Sequence, residues 1–80
     1  MRLDKYLKVS RLIKRRTIAN EACDNEHVSI NGKTAKASTE VKLGDIIEIR
    51  YGSRTSTVKV TAITESTKKA DAADMYEVIA

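Results

Sequence analysis

Three consecutive cations, Lys14, Arg15 and Arg16, stand directly before the segment TIANEACD, whose composition suits a helix. A helix N-terminus carries roughly half a positive charge and prefers acids in its first turn. The triplet therefore raises a field that is already positive. The chemistry that makes use of such a field is anion binding. Unpaired backbone N–H groups at a helix start suit a phosphate, and an arginine fork grips phosphate through two hydrogen bonds. Without an anion, each misplaced cation costs roughly 0.3–1 kcal/mol. Glu21, one turn beyond Arg16 and Thr17, is the structural alternative, a partial neutraliser of the cluster.

The wider charge distribution points the same way. Residues 1–20 hold Arg2, Lys5, Lys8, Arg11, Lys14, Arg15 and Arg16 against one acid, Asp4, although the net charge of the whole chain is only +4. Residues 21–80 are net acidic, so one quarter of the chain carries the whole positive excess. That asymmetry is the footprint of a polyanion-binding face. Lys33 and Lys36 offer a second, weaker strip, and Tyr51, followed by Gly52 and Arg54, suits a sheet edge better than base stacking.

Catalysis finds no support in the residues. His27 is the one histidine and Cys23 the one cysteine, so neither a metal set nor an internal disulfide can be assembled from them. Gly32, Gly44 and Gly52 are isolated turn glycines rather than a phosphate loop. The expectation is a protein without enzymatic activity, cofactor or metal. The N-terminal MRLDKYLKVSR has no apolar core long enough for a signal peptide and nothing approaches a membrane span, so the expected location is the cytoplasm.

Eighty residues make one domain with a thin core. Leu3 and Leu7 at i,i+4 spacing, with Tyr6 beside them and an Asp4–Lys8 pair, predict a helix over 2–9. A turn falls within 10–14. A second helix over 17–24 carries a stripe of Ile18, Ala19, Ala22 and Cys23, with Asn25 as its left-handed cap. The period then becomes alternating. Asn31-Gly32 predicts a type I′ hairpin, and Gly44-Asp45 a turn into the run Ile46 to Tyr51. Gly52-Ser53-Arg54 predicts a second hairpin whose return strand faces inward with Val58, Val60 and Ala62. Ser66 or Thr67 caps a short helix through KKADAADM, and Tyr76 to Ile79 returns as a closing strand. The fold class is α+β.

RLDKYL, KRRTIANEA, HVSINGKTAKAS and VKLGD, in that order, resemble the small RNA-binding domain named after small-subunit ribosomal protein four. The resemblance covers roughly residues 1–50 and implies two N-terminal helices packed on a small curled antiparallel sheet. The β-rich remainder, about 46–80, extends the same single domain. Carried onto this chain, the resemblance implies RNA contacts from Arg2, Lys5, Arg11, Arg15, Arg16 and Thr17, and from Lys33, Lys36 and Ser38 around the hairpin. Lys8 and Lys14 extend the basic face, and Asp4 orients a neighbouring arginine. Two positions depart from the family pattern. Arg15 stands where a small hydroxyl residue is common, and Glu26 where glycine is common, which leaves Asn25 to absorb the turn.

The chain has far too few residues after Gly44-Asp45 for the catalytic domain that many members carry. It is most similar to the stand-alone branch of heat-shock ribosome-binding proteins and bacterial ribosome-associated quality-control factors. That likeness implies binding to large-subunit rRNA and to P-site peptidyl-tRNA, in support of an alanine-tailing partner protein, by a monomer. Other readings are heat-shock-type rescue of large subunits, a general RNA-binding adaptor, and a helix-turn-helix DNA-binding protein. The last is disfavoured because Glu21 and Asp24 on the second helix would repel a duplex.

Overall fold

The computed structural model describes residues 1–64 and 74–80. Two helices, α1 (Leu3–Val9) and α2 (Arg16–Asp24), precede β1 (Val28–Ile30), β2 (Lys33–Thr34), β3 (Ile46–Tyr51), β4 (Arg54–Val60) and β5 (Tyr76–Val78). The five strands form one antiparallel sheet in the order β2-β1-β3-β4-β5. The helix expected through KKADAADM lies outside the described residues except for Asp74 and Met75, as do Lys68 and Lys69.

Helix α1 buries Leu3, Tyr6 and Leu7 completely, the face its spacing predicts. They meet Val28 and Ile30 of β1, Ile47 and Ile49 of β3, and Val58 and Val60 of β4 in one core. The buried Tyr6 hydroxyl donates to the Met75 carbonyl at 2.6 Å, tying α1 to the segment that feeds β5. Helix α2 packs more narrowly than its expected stripe. Ala19 and Cys23 are buried, Ala22 is half-buried, and Ile18 is 50% exposed. Two small residues at i,i+4 spacing let the helix approach closely, and this turns Ile18, about 100° round the axis, away from the core.

The turns follow from residue type. Asn31 (φ +53) and Gly32 (φ +83) both take the left-handed conformation a type I′ turn demands, and Ile30 pairs with Lys33 across it. Asn31 also joins this hairpin to the Gly44-Asp45 turn. Its side-chain oxygen accepts from Ile46 N–H at 3.0 Å, and its amide donates to Asp45 at 3.1 Å. The second hairpin turns at Gly52-Ser53, with Tyr51 opposite Arg54. Ala62 falls beyond the end of β4 and is half-buried only.

The end of α2 differs from expectation. Asn25 lies at φ −88, and Glu26 takes the left-handed position at φ +61. Glu26 N–H donates to the Cys23 carbonyl and His27 N–H to the Ala22 carbonyl, the paired bonds of a Schellman motif with Glu26 at its left-handed position. The turn thus falls on the residue that stands where glycine is common, and the motif's bonding holds it there. A non-glycine residue in this conformation costs about 1–2 kcal/mol, part of which glycine returns through its freer unfolded chain. Glu26→Gly is therefore expected to stabilise the fold by about 0.5–1 kcal/mol, raising the melting temperature by a few degrees in a thermal melt.

Candidate nucleic-acid interface

Backbone hydrogen bonds pin the start of α1 against the segment after β2. Leu3 N–H donates to Thr39 and Asp4 N–H to Ala37, while Val41 N–H donates to Met1. The N-terminal amine pairs with Glu40 at 3.1 Å. This clamp sets Arg2 beside Lys36 and Ser38, and with Asn20, Thr34 and Asp24 they line one groove between α2 and the segment after β1. Lys33 stands exposed on β2, outside that groove's lining.

Asp4 is the centre of the site. Its side chain is only 3% exposed, yet it is held by charge from both helices. Arg2 donates to its two oxygens at 3.3 and 3.5 Å, and Arg16 at 3.2 and 3.4 Å. Lys5 N–H (2.8 Å) and the Asn20 amide (3.4 Å) complete the shell. The two arginine side chains are 52% and 49% exposed, so each commits one edge to Asp4 and offers the rest to solvent. A buried carboxylate thus holds two guanidinium groups as a rigid pair, an arrangement suited to bidentate phosphate recognition.

This geometry explains the cationic start of α2. Arg16 is its first residue, Arg15 is the extended N-cap with no side-chain cap hydrogen bond, and no acid lies in the first turn. The compensating charge comes from α1: Arg16 bonds to Asp4, rather than being neutralised by Glu21 on its own helix. Burial raises the Asp4 carboxyl pKa, but hydrogen bonds from Arg16 and Lys5, the Arg16 charge and the Asn20 amide outweigh it, so the net shift is downward from 3.8. A carboxyl with a lowered folded-state pKa adds stability above its unfolded value, and that stability is lost as pH falls through the folded one. Urea midpoints should therefore drop as pH is lowered below 4, and Asp4→Asn should flatten that drop.

The remaining basic residues do not join this pair. Thr17 lines a shallow recess with Asp4, Arg16 and Asn20. Lys8, Arg11 and Lys14 gather instead around a separate concavity at the far end of α1. Lys5 is half-buried and Arg15 exposed. Asn20 is the residue sequence reasoning passed over as a functional position. Its one signal is i,i+4 spacing from Arg16, which places both on the side of α2 that meets α1. Cys23 is buried and its thiol is pushed up to about 11, by burial first and then by Asp4 and Asp24, which makes it a poor nucleophile. His27 is exposed, and the Tyr51 hydroxyl reaches the Leu12 carbonyl at 3.4 Å from the end of β3.

Two helices on an antiparallel sheet, with an arginine pair where the helices meet, define a class, and a family model agrees. The S4 domain model matches residues 1–47, and the chain belongs to the S4 domain family. Among its relatives, the chain is 57% identical to the RQC P-site tRNA stabilizing factor of Streptococcus pneumoniae over 79 residues, 99% of this chain and 90% of that protein. It is 54% identical to the protein of the same name from Bacillus subtilis, covering 99% of this chain and 92% of that one. The trimeric structure of Vibrio cholerae Heat Shock Protein 15 superposes with a TM-score of 0.90 at 31% identity, covering 100% of this chain and 82% of that one.

Proposed function

We propose that the protein is a non-enzymatic RNA-binding factor of ribosome-associated quality control. It binds a large ribosomal subunit whose stalled nascent chain remains on a P-site tRNA, gripping rRNA and tRNA backbones together. By steadying that tRNA it supports a partner protein that tails the nascent chain with alanine. The observation that carries this reading is the Asp4-centred pair, two half-exposed guanidinium groups fixed where α1 meets α2. The near full-length similarity to relatives named P-site tRNA stabilizing factors directs that pair to tRNA. Structured RNA is favoured over duplex DNA because α2 exposes Glu21 and Asp24 beyond Arg16. Lys36 and Ser38, which share the Arg2 groove, add contacts to the same backbone, and Lys33 does so from β2.

Sucrose-gradient sedimentation tests the reading. The protein should travel with large subunits carrying peptidyl-tRNA and far less with vacant large subunits. Equal recovery with both would remove tRNA from the account.

A further inference from the structure

Helix α2 has two unlike sides. Arg16 and Asn20 follow the side that meets Asp4, whereas Ile18 lies roughly 200° round the axis from Arg16, with Ala22 one turn further along. Across from Ile18 the β3–β4 hairpin outruns the core. Ile47, Ile49 and Tyr51 alternate onto the inward face of β3, but cover ends at Ile49, and Tyr51 is about half exposed. Its hydroxyl donates to the Leu12 carbonyl at 3.4 Å, tying the ring to the segment between the helices. The result is an apolar groove lined by Leu12, Ile18, Ala22, Ile49 and Tyr51. Beyond Leu12 and Tyr51 it continues to Arg54. Ile18 and Tyr51 leave much of their apolar surface in water here, and the arginine pair uses neither.

We propose that this groove docks an acidic amphipathic helix of a protein partner. An exposed apolar groove with a polar rim is the mark of a protein-docking surface, and a groove beside a helix accepts another helix by its apolar face. The aliphatic side chains of Leu12, Ile18 and Ala22 offer RNA neither a hydrogen bond nor a stacking platform. Charge selects the sign of the partner. Among the described residues around the groove, Lys14, Arg50 and Arg54 are exposed cations and Glu21 is an exposed acid. The Arg50 guanidinium is fixed by donating to the Glu26 carbonyl at 2.7 Å, a neutral partner that leaves its charge in place. A helix with acidic flanks complements that rim, and one with basic flanks is repelled by it. The inference does not rest on the RNA-binding reading, and the opposite placement of the two sites on α2 lets both be filled at once.

The test is an amide NMR titration of the full chain with a panel of synthetic helical peptides. They carry Leu at i, i+3 or i+4, and i+7 with Glu on both flanks, and a matched panel carries Lys in place of Glu. The acidic peptides should shift the amides of Leu12, Ile18 and Tyr51, and the basic ones should not. Ile18→Ser, at a half-exposed position, should melt close to the wild type and bind the acidic peptides roughly tenfold more weakly. Its affinity for an RNA hairpin should be unchanged. Arg54→Glu should weaken the acidic peptides and admit the basic ones. Binding by none of the acidic peptides, or equal binding by the basic panel, would overturn the proposal. So would a loss of RNA affinity in Ile18→Ser, which would give the groove to RNA. Shifts at the same amides on concentrating the protein alone would give it to a second copy and overturn the proposal equally. Arg2→Ala/Arg16→Ala should keep its peptide affinity whether or not it loses RNA, which separates failure of this site from failure of the RNA-binding reading.

Discussion

Replacing Asp4 with asparagine is expected to weaken the fold and the RNA grip in one step. The carboxylate is buried and accepts from Arg2, Arg16, Asn20 and the Lys5 N–H. Asparagine has one acceptor oxygen and no charge, so its amide would point donors at donors and leave two guanidinium groups repelling. Breaking a buried ion pair from one side costs about 3–5 kcal/mol. Both arginine side chains here are about half exposed and can recover hydration, which brings the expected loss to about 1–3 kcal/mol. In a domain of this size that corresponds to a melting temperature lower by roughly 5–20 °C. Affinity should fall although no cation has been removed, because the arginines lose the geometry that suits a phosphate. A variant that melted lower but bound RNA with wild-type affinity would limit Asp4 to a structural role.

The second large effect is expected from Arg2→Ala/Arg16→Ala. If the wild type neutralises about six phosphates, its affinity falls roughly a thousandfold between 50 and 200 mM salt. Losing two of those contacts should reduce that fall to roughly a hundredfold and lower affinity at 0.1 M salt by about 10–100-fold. The substitution also leaves Asp4 buried with only the Lys5 N–H and the Asn20 amide as partners. The double variant should therefore be less stable at neutral pH and recover part of that loss as Asp4 becomes protonated. Melting curves of both proteins followed from pH 7 down through the carboxylate range separate this effect from loss of phosphate contacts, since only a stability defect moves with Asp4 protonation.

The elements that local chemistry dictates were legible in the chain. Leu3, Tyr6 and Leu7 mark a helical face by spacing alone, and Asn31-Gly32 and Gly44-Asp45 mark turns by the conformations those residues favour. What spacing does not contain is which residue of one helix meets which residue of another. The sequence presents Asp4 as the lone acid among seven cations, but its contact with both Arg2 and Arg16 exists only once α1 and α2 pack. The rule-breaking start of α2 was visible, whereas its compensation, coming from twelve residues upstream, was not. For the same reason the basic residues read as one face, and only the turn at Arg11 parts Lys8, Arg11 and Lys14 from the arginine pair. Glu26 shows propensity giving way to context. Asn25 is the better left-handed residue in isolation, but the Schellman bonds from Glu26 to Cys23 and from His27 to Ala22 fix the turn one residue later.

The most direct test of the arginine clamp is co-sedimentation of wild-type and Arg2→Ala/Arg16→Ala proteins with large subunits carrying peptidyl-tRNA, at a temperature where melts show both folded. The account predicts that the wild type is recovered with the subunits and the double variant stays at the top of the gradient. Recovery of the double variant at the wild-type level would contradict the assignment of Arg2 and Arg16 as the gripping residues.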